Sequence, residues 1–131
     1  MKLINKITFI IIFLFININA FGAVSSLVGQ KNWGTGEQRQ PTGVIFNPDG
    51  TKMYSTGTVQ NKIYMYNLTT PFTVTTATYA SKLCSLTGEN DALMFRFNSD
   101  GTAIFVLDTA TTETIDKYSL TTAYDISTCS F

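Results

Sequence analysis

The sequence contains no histidine and little charge, and both absences exclude classes of function. Without imidazole the chain has no histidine general base, proton shuttle or metal ligand. Charged residues make up 14% of the chain, with nine basic and nine acidic side chains. Two of the lysines fall in an N-terminal segment that we expect to be removed, which leaves seven basic side chains. Because these cannot form a basic patch of useful size, we expect no nucleic-acid partner.

The N-terminal segment has the pattern of an export signal. Two lysines precede an apolar run at residues 7–18, and small residues follow at Ala20 and Gly22. This order is typical of a cleaved secretory peptide, and we predict a signal peptide at residues 1–22. An uncleaved membrane anchor is the alternative, but a span needs about 20 apolar residues and this run has about a dozen. We therefore expect a secreted or periplasmic protein of the cell envelope, which meets a membrane only during export.

The rest of the chain repeats itself. Phe46–Tyr54 has the sequence FNPDGTKMY, and 51 residues later Phe97–Phe105 has the sequence FNSDGTAIF. Tyr66–Ala77 (YNLTTPFTVTTA) and Tyr118–Cys129 (YSLTTAYDISTC) match at an offset of 52 residues. Two matches in the same order at almost the same period indicate a structural repeat of about 50 residues.

Within each repeat the periodicity is that of β-strands. A strand ends at Phe46, the turn Asn47–Gly50 supplies Pro, Asp and Gly, and Lys52–Ser55 returns as the partner strand of a hairpin. A third strand is predicted at Lys62–Leu68 and a fourth from about Thr76 to Leu86, a stretch dense in β-branched and aromatic residues. The sequence therefore predicts an all-β chain with four antiparallel strands per repeat.

Two stretches carry a family resemblance, Pro41–Tyr54 with its FNPDGT turn and Ile63–Phe72 with its YNLTTPF sequence. They resemble the blades of bacterial β-propellers of the broad YVTN-like and WD-repeat-like group. The second repeat departs from the pattern, with Ala92–Met94 in place of Pro-Thr-Gly and Ala123 in place of Pro71. The resemblance implies antiparallel four-stranded β-propeller blades in an incomplete propeller of about two blades, with the innermost strand buried on both sides.

On this interpretation residues 23–131 are a partial β-propeller. A complete blade is expected at 40–86, an incomplete blade at 91–131 and a lone outer strand at 24–29. Propellers close with about 4–8 blades, so two cannot form a ring. The chain is then the first part of a longer propeller, a unit that self-associates through unpaired blade faces, or a small open sandwich. The lone strand favours the first alternative, because such a strand completes the last blade of a closed propeller.

Cys84 and Cys129 are the only cysteines. An exported protein meets an oxidising environment in which a disulfide can persist. In the repeat alignment, however, Cys129 matches Ala77, which is seven residues from Cys84. On equivalent strands of neighbouring blades this places the two cysteines on the order of 20 Å apart, whereas a disulfide needs Cα atoms within about 7 Å. We therefore expect no intramolecular disulfide.

The loops between strands contain the candidate binding residues. Loops from the outer to the inner strand and from the second to the third strand emerge on one side of a blade, where propellers commonly bind. A lone tryptophan there can stack on a sugar or peptide, or it can cap a blade interface. The predicted binding residues are Trp33, Arg39, Glu89, Asp91 and Asp108, with Lys31, Glu37 and Glu113 in the same loops.

Other features favour a protein without catalysis. Asp49 and Asp100 lie in Asp-Gly-Thr turns and are interpreted as turn caps, because calcium needs several converging oxygens. The sequence has no nucleophile elbow, phosphate loop or Cys/His metal spacing. We therefore predict a non-catalytic binding scaffold for protein or carbohydrate, with no metal and no cofactor.

Two alternatives remain open. The first is a propeller enzyme of the sugar-lactonase kind with a metal in its central channel. It would need carboxylate or amide ligands on the inner strands Thr42–Phe46 and Leu93–Phe97, which offer none. The second is a structural surface repeat protein, in which the blades only space other parts.

Overall fold

The computed structural model describes residues 29–33, 39–87, 92–109 and 113–131. The predicted signal peptide at 1–22 lies outside the described residues, as does the predicted outer strand at 24–29 except for its last residue. Within the described ranges every strand pairs antiparallel with its neighbours, and the helical pieces are two short 3-10 turns. The prediction of an all-β chain is confirmed.

The strands form two four-stranded sheets, and in each sheet the strands are neighbours in chain order. The first sheet consists of β1 (Pro41–Phe46), β2 (Lys52–Gly57), β3 (Lys62–Leu68) and β4 (Ala77–Ser85). The second consists of β5 (Ala92–Phe97), β6 (Ala103–Asp108), β7 (Ile115–Leu120) and β8 (Cys129–Ser130). The two 3-10 turns lie before the last strand of each sheet, at Val74–Thr76 and Ile126–Thr128. The predicted hairpins and the predicted third and fourth strands of the first repeat agree with these bounds.

The two Asp-Gly-Thr turns close their hairpins in the same way. The Asp49 carboxylate accepts hydrogen bonds from the backbone N–H of Thr51 at 2.9 Å and from its hydroxyl at 2.6 Å. These bonds hold the pKa of Asp49 below its usual value. Gly50 adopts a φ of +71°, and a Cβ there would lie 2.4 Å from the Phe72 ring. Asp100 makes the same bonds to Thr102, so the interpretation of both carboxylates as turn caps is confirmed.

Both faces of the first sheet are covered. On one face, here named face A, Met53 and Tyr66 belong to a cluster that Trp33 also joins. On the opposite face, here named face B, Tyr54 and Ile63 are fully buried in the cluster that joins the two sheets. Successive strand residues point to opposite sides of a sheet, which explains why neighbours in sequence belong to different clusters.

The second sheet packs on the first through the equivalents of face A. Ile104 is the repeat equivalent of Met53, and Tyr118 is that of Tyr66; both are buried between the sheets. Face A of the second sheet therefore lies on face B of the first, and the two repeats are stacked head to tail. The Tyr54 hydroxyl donates a hydrogen bond to the Tyr124 carbonyl at 2.7 Å across this interface. Burial, followed by the charge of Asp125, raises the pKa of Tyr54.

Two expectations from the sequence are wrong. The first concerns β1, which we expected to be buried on both sides as an innermost strand. Its residues are exposed or half-buried. An edge position alone is not the reason, because β5 is also an edge strand and buries Ala92 and Phe95. β1 lies against β5 of the second sheet, whereas Val44 on face A is 46% exposed.

The second wrong expectation concerns the cysteines. Cys84 and Cys129 form a disulfide with their Cα atoms 5.8 Å apart. Part of the error is a bulge in β4: Tyr66 of β3 pairs with Tyr79, whereas the preceding Met65 pairs with Lys82. Two residues of β4 thus add no length along the sheet.

The rest of the error is the offset between the sheets. The turn before β8 lies against the second half of β4, where Lys82 forms an ion pair with Asp125. Equivalent strands of the two sheets are therefore shifted along the strand direction, so that the start of β8 lies beside the later part of β4. This offset brings Cys129 to Cys84.

Candidate functional site

The longer loops of both sheets gather at one edge of the structure, here named the loop edge. It includes Arg39–Gln40 before β1, Thr58–Asn61 between β2 and β3, and Leu86–Thr87 after β4. The ends of β6 and β7 that flank residues 109–114 belong to the same edge. The opposite edge contains the two Asp-Gly-Thr turns and the two 3-10 turns, whose polar groups largely bond within the turns themselves.

Hydrogen bonds hold the loops of this edge together. The Thr58 hydroxyl donates to the Gln40 side-chain oxygen at 3.1 Å, and the Leu86 N–H donates to the Asn61 carbonyl at 2.9 Å. A further bond joins the two sheets here, because the Thr42 hydroxyl donates to the Ala92 carbonyl at 3.3 Å. The loop edge is therefore a tied set of segments from both sheets.

Two of the predicted binding residues lie at the loop edge. Arg39 is exposed and directly precedes the strand that begins at Pro41. Asp108 ends β6 opposite Ala92, and its backbone N–H donates to the Thr114 carbonyl at 3.1 Å. Asp108 is only 4% exposed, so its carboxylate is part of the framework of the edge. Arg39 is the more accessible of the two side chains.

Trp33 lies elsewhere. Its ring centroid is 5.2 Å from that of Tyr66, in the cluster on face A of the first sheet. The Lys31 ammonium lies 5.5 Å from the Tyr66 ring centroid, within the range of a cation–π interaction. Trp33 therefore packs on a face of the first sheet and does not lie at the loop edge.

The remaining predicted residues divide into two groups. Glu89 and Asp91 lie outside the described residues, and so does Glu37. Glu113 is exposed beside β7 with a φ of +48°.

Sequence reasoning missed Gln40, Thr58 and Asn61, because it weighed only charged and aromatic side chains. For Asn61 the sequence did contain an indication of a tight turn, because Asn tolerates a positive φ and this loop requires a φ of +48° there.

Asn61 also contributes an unusual acceptor to the loop edge. Its side-chain oxygen is buried and has no hydrogen-bond partner among the residues that the structure describes. An unpaired buried acceptor is costly, on the order of 1–3 kcal/mol.

Two searches of the described residues gave no candidate. No group of three or more Cys, Asp or Glu side chains in the described ranges has the arrangement of a metal site. In the same part of the chain, no helix has the length and apolar character needed to cross a membrane.

Comparisons with known proteins add no family to this description. The chain has no significant match to a protein-family model, to a curated protein or to a solved structure.

Proposed function

We propose that the protein is an exported, non-catalytic binding scaffold whose two sheets are consecutive blades of β-propeller architecture. The head-to-tail stacking supports the blade assignment, because face A of the second repeat packs on face B of the first, as in consecutive blades of a propeller. The Cys84–Cys129 disulfide supports export, since such bonds persist in oxidising compartments.

The observation that carries the binding function is the composition of the loop edge. Both sheets contribute loops there, and hydrogen bonds tie these loops to one another and across the two sheets. At this edge Arg39 is exposed and directly precedes Gln40, whose side-chain amide oxygen accepts from the Thr58 hydroxyl. Planar donors and acceptors of this kind suit the hydroxyl groups of a carbohydrate or the backbone of a protein loop.

The experiment is a binding screen with a matched pair of variants. The purified protein is tested on an array of glycans and of envelope proteins, together with Arg39→Ala and Ser99→Ala. Ser99 is exposed at the opposite edge, where its carbonyl and not its hydroxyl accepts the bond from Tyr124. We expect a ligand whose binding falls at least tenfold in Arg39→Ala and is unchanged in Ser99→Ala. Equal loss in both variants, or binding that neither affects, would exclude the loop edge as the site.

A further inference from the structure

The segments that lead into the two 3-10 turns are built alike. Phe72 and Tyr124 are repeat equivalents, with φ angles of +57° and +58°. The Phe72 N–H donates to the Gly50 carbonyl at 3.0 Å, and the Tyr124 N–H donates to the Gly101 carbonyl at 2.9 Å. Each ring lies against its glycine, because a Cβ on either glycine would come within 2.4 Å of the ring. What binds at one segment therefore indicates what the other can bind.

The segment at Tyr124 holds a phenol group from the first sheet. The Tyr54 hydroxyl donates a hydrogen bond to the Tyr124 carbonyl at 2.7 Å. The Tyr54 ring meets the Phe97 ring edge-on, with centroids 4.8 Å apart, and Phe97 lies 5.1 Å from the Tyr124 ring. A carbonyl acceptor and a pair of aromatic rings thus form a tyrosine site within the chain.

The same groups are present at Phe72. Phe46, the repeat equivalent of Phe97, lies with its ring centroid 5.6 Å from that of Phe72. Phe72 is 58% exposed, and among the described residues no donor reaches its carbonyl. The acceptor and the pair of rings are therefore repeated here.

A cavity of about 300 Å³ opens beside Phe72. It is lined by Gly29, Phe72, Thr73 and Val74. Val74 is half-buried, whereas its equivalent Ile126 is fully buried in the cluster that contains Tyr54. Gly29 helps to keep the cavity open, because a Cβ there would come within 3.2 Å of the Val74 side chain. The first repeat thus has space where the second repeat is filled.

The charge of the lining restricts the ligand further. Thr73 is the repeat equivalent of Asp125, which forms an ion pair with Lys82 in the second repeat. None of the lining residues is charged, so nothing there favours a cationic or an anionic ligand over a neutral one. A neutral phenol matches both the lining and the internal example of Tyr54.

We propose that this cavity binds a phenol group, supplied by a tyrosine side chain of a partner protein or by a small phenolic compound. The phenol hydroxyl donates to the Phe72 carbonyl, and the ring lies against Phe46, in the way that Tyr54 lies on the second repeat. The cavity belongs to the edge opposite the loop edge, so it is a second site beyond the proposed function.

Titration with p-cresol, which is the tyrosine side chain without its backbone, tests the inference. In proton–nitrogen correlation spectra we expect saturable shifts of the Thr73 and Val74 amide signals. The signals of Asp125 and Ile126 should not move, because Tyr54 fills the equivalent place beside them. The methyl ether of p-cresol cannot donate a hydrogen bond, so it should bind roughly twofold to tenfold more weakly.

A matched pair of variants locates the binding. Thr73→Phe fills the cavity from an exposed position and should weaken p-cresol binding at least tenfold. Thr69→Phe is the control, because Thr69 is also exposed but does not line the cavity. It should bind p-cresol as the wild type does. Near-ultraviolet circular dichroism checks that both variants are folded.

A blocked Gly-Tyr-Gly peptide distinguishes the two sources of the phenol. Tighter binding of the peptide than of p-cresol indicates a tyrosine of a partner protein, and the reverse order indicates a small phenolic compound. Three results would overturn the inference: no saturable shift with either probe, equal affinity for p-cresol and its methyl ether, or unchanged binding in folded Thr73→Phe. The Arg39→Ala assay reports on the loop edge alone, so a failure here is distinguishable from a failure of the proposed function.

Discussion

Reduction of the disulfide between the sheets should destabilise the protein strongly. Cys84 and Cys129 are 45 residues apart in sequence. In the chain-entropy account, a crosslink that closes a loop of this size lowers the entropy of the unfolded chain by about 13 cal/mol/K. At 25 °C this corresponds to about 4 kcal/mol of unfolding free energy, a large share of the total stability of a small domain.

Urea unfolding of one preparation, with and without a reducing agent, measures this contribution. The use of the same chain in both states matters because Cys84 is fully buried, so a substitution would also change its packing. Urea slopes of small proteins are about 1–3 kcal/mol/M, so the midpoint should fall by roughly 1–4 M on reduction. Alkylation followed by intact mass measurement reports the number of free thiols in each sample.

Two results would refute the reasoning about the disulfide. The first is an equal unfolding midpoint in the oxidised and the reduced protein. The second is a pair of free thiols in the untreated protein after export, which would mean that the two strands do not bring the cysteines together.

Three further predictions concern the turns, the core and the sheet interface. Gly101→Ala should lower the free energy of unfolding by about 1–3 kcal/mol in thermal unfolding, because φ is +73° and a Cβ would lie 2.4 Å from the Tyr124 ring. Gly43→Ala is the control and should lower it much less, because Gly43 has no positive φ. Ser55→Ala should raise stability by about 1 kcal/mol, since the Ser55 hydroxyl is buried without a partner in the described structure; a loss would contradict this. Burial raises the pKa of Asp125, but hydrogen bonds, above all from Lys82, outweigh it and hold the pKa below the usual 3.8. The contribution of Asp125 to the free energy of unfolding is therefore complete above pH 3.8 and is lost as the pH falls through the folded pKa. Asp125→Asn should reduce the loss of stability in this acidic range.

The repeat made much of the fold predictable. The Asp-Gly-Thr turns specify hairpins through local chemistry, in which one carboxylate caps the turn and one glycine accepts a positive φ. Strand alternation is equally local: neighbours in β3 point to opposite faces, and Ile63 and Tyr64 lie in different clusters. These features depend on neighbours in sequence, which explains why a single sequence was sufficient.

The relation between the sheets could not be predicted in the same way. The disulfide depends on a bulge after Met65 and on an offset that places Asp125 beside Lys82. Neither feature produces a periodic pattern in the sequence, because each results from packing between residues far apart in the chain. The position of Trp33 has the same origin, since its contact with Tyr66 is a tertiary one.

The candidate site was predicted in part. Arg39 and Asp108 come to one edge because loops of the same type leave each sheet on the same side. The contribution of Thr58 and Gln40 was not visible from the sequence, because uncharged polar residues are frequent in every loop. Their hydrogen bond across 18 residues depends on the fold.

The central claim is that the two repeats stack head to tail, with face A of the second on face B of the first. Nuclear Overhauser contacts between aromatic rings test it most directly, because the Tyr54 and Phe97 ring centroids are 4.8 Å apart across the interface. The account predicts strong cross-peaks between these two rings in the purified protein. Cross-peaks from Phe97 to rings on face A of the first sheet, such as Tyr66, with none to Tyr54 would contradict it.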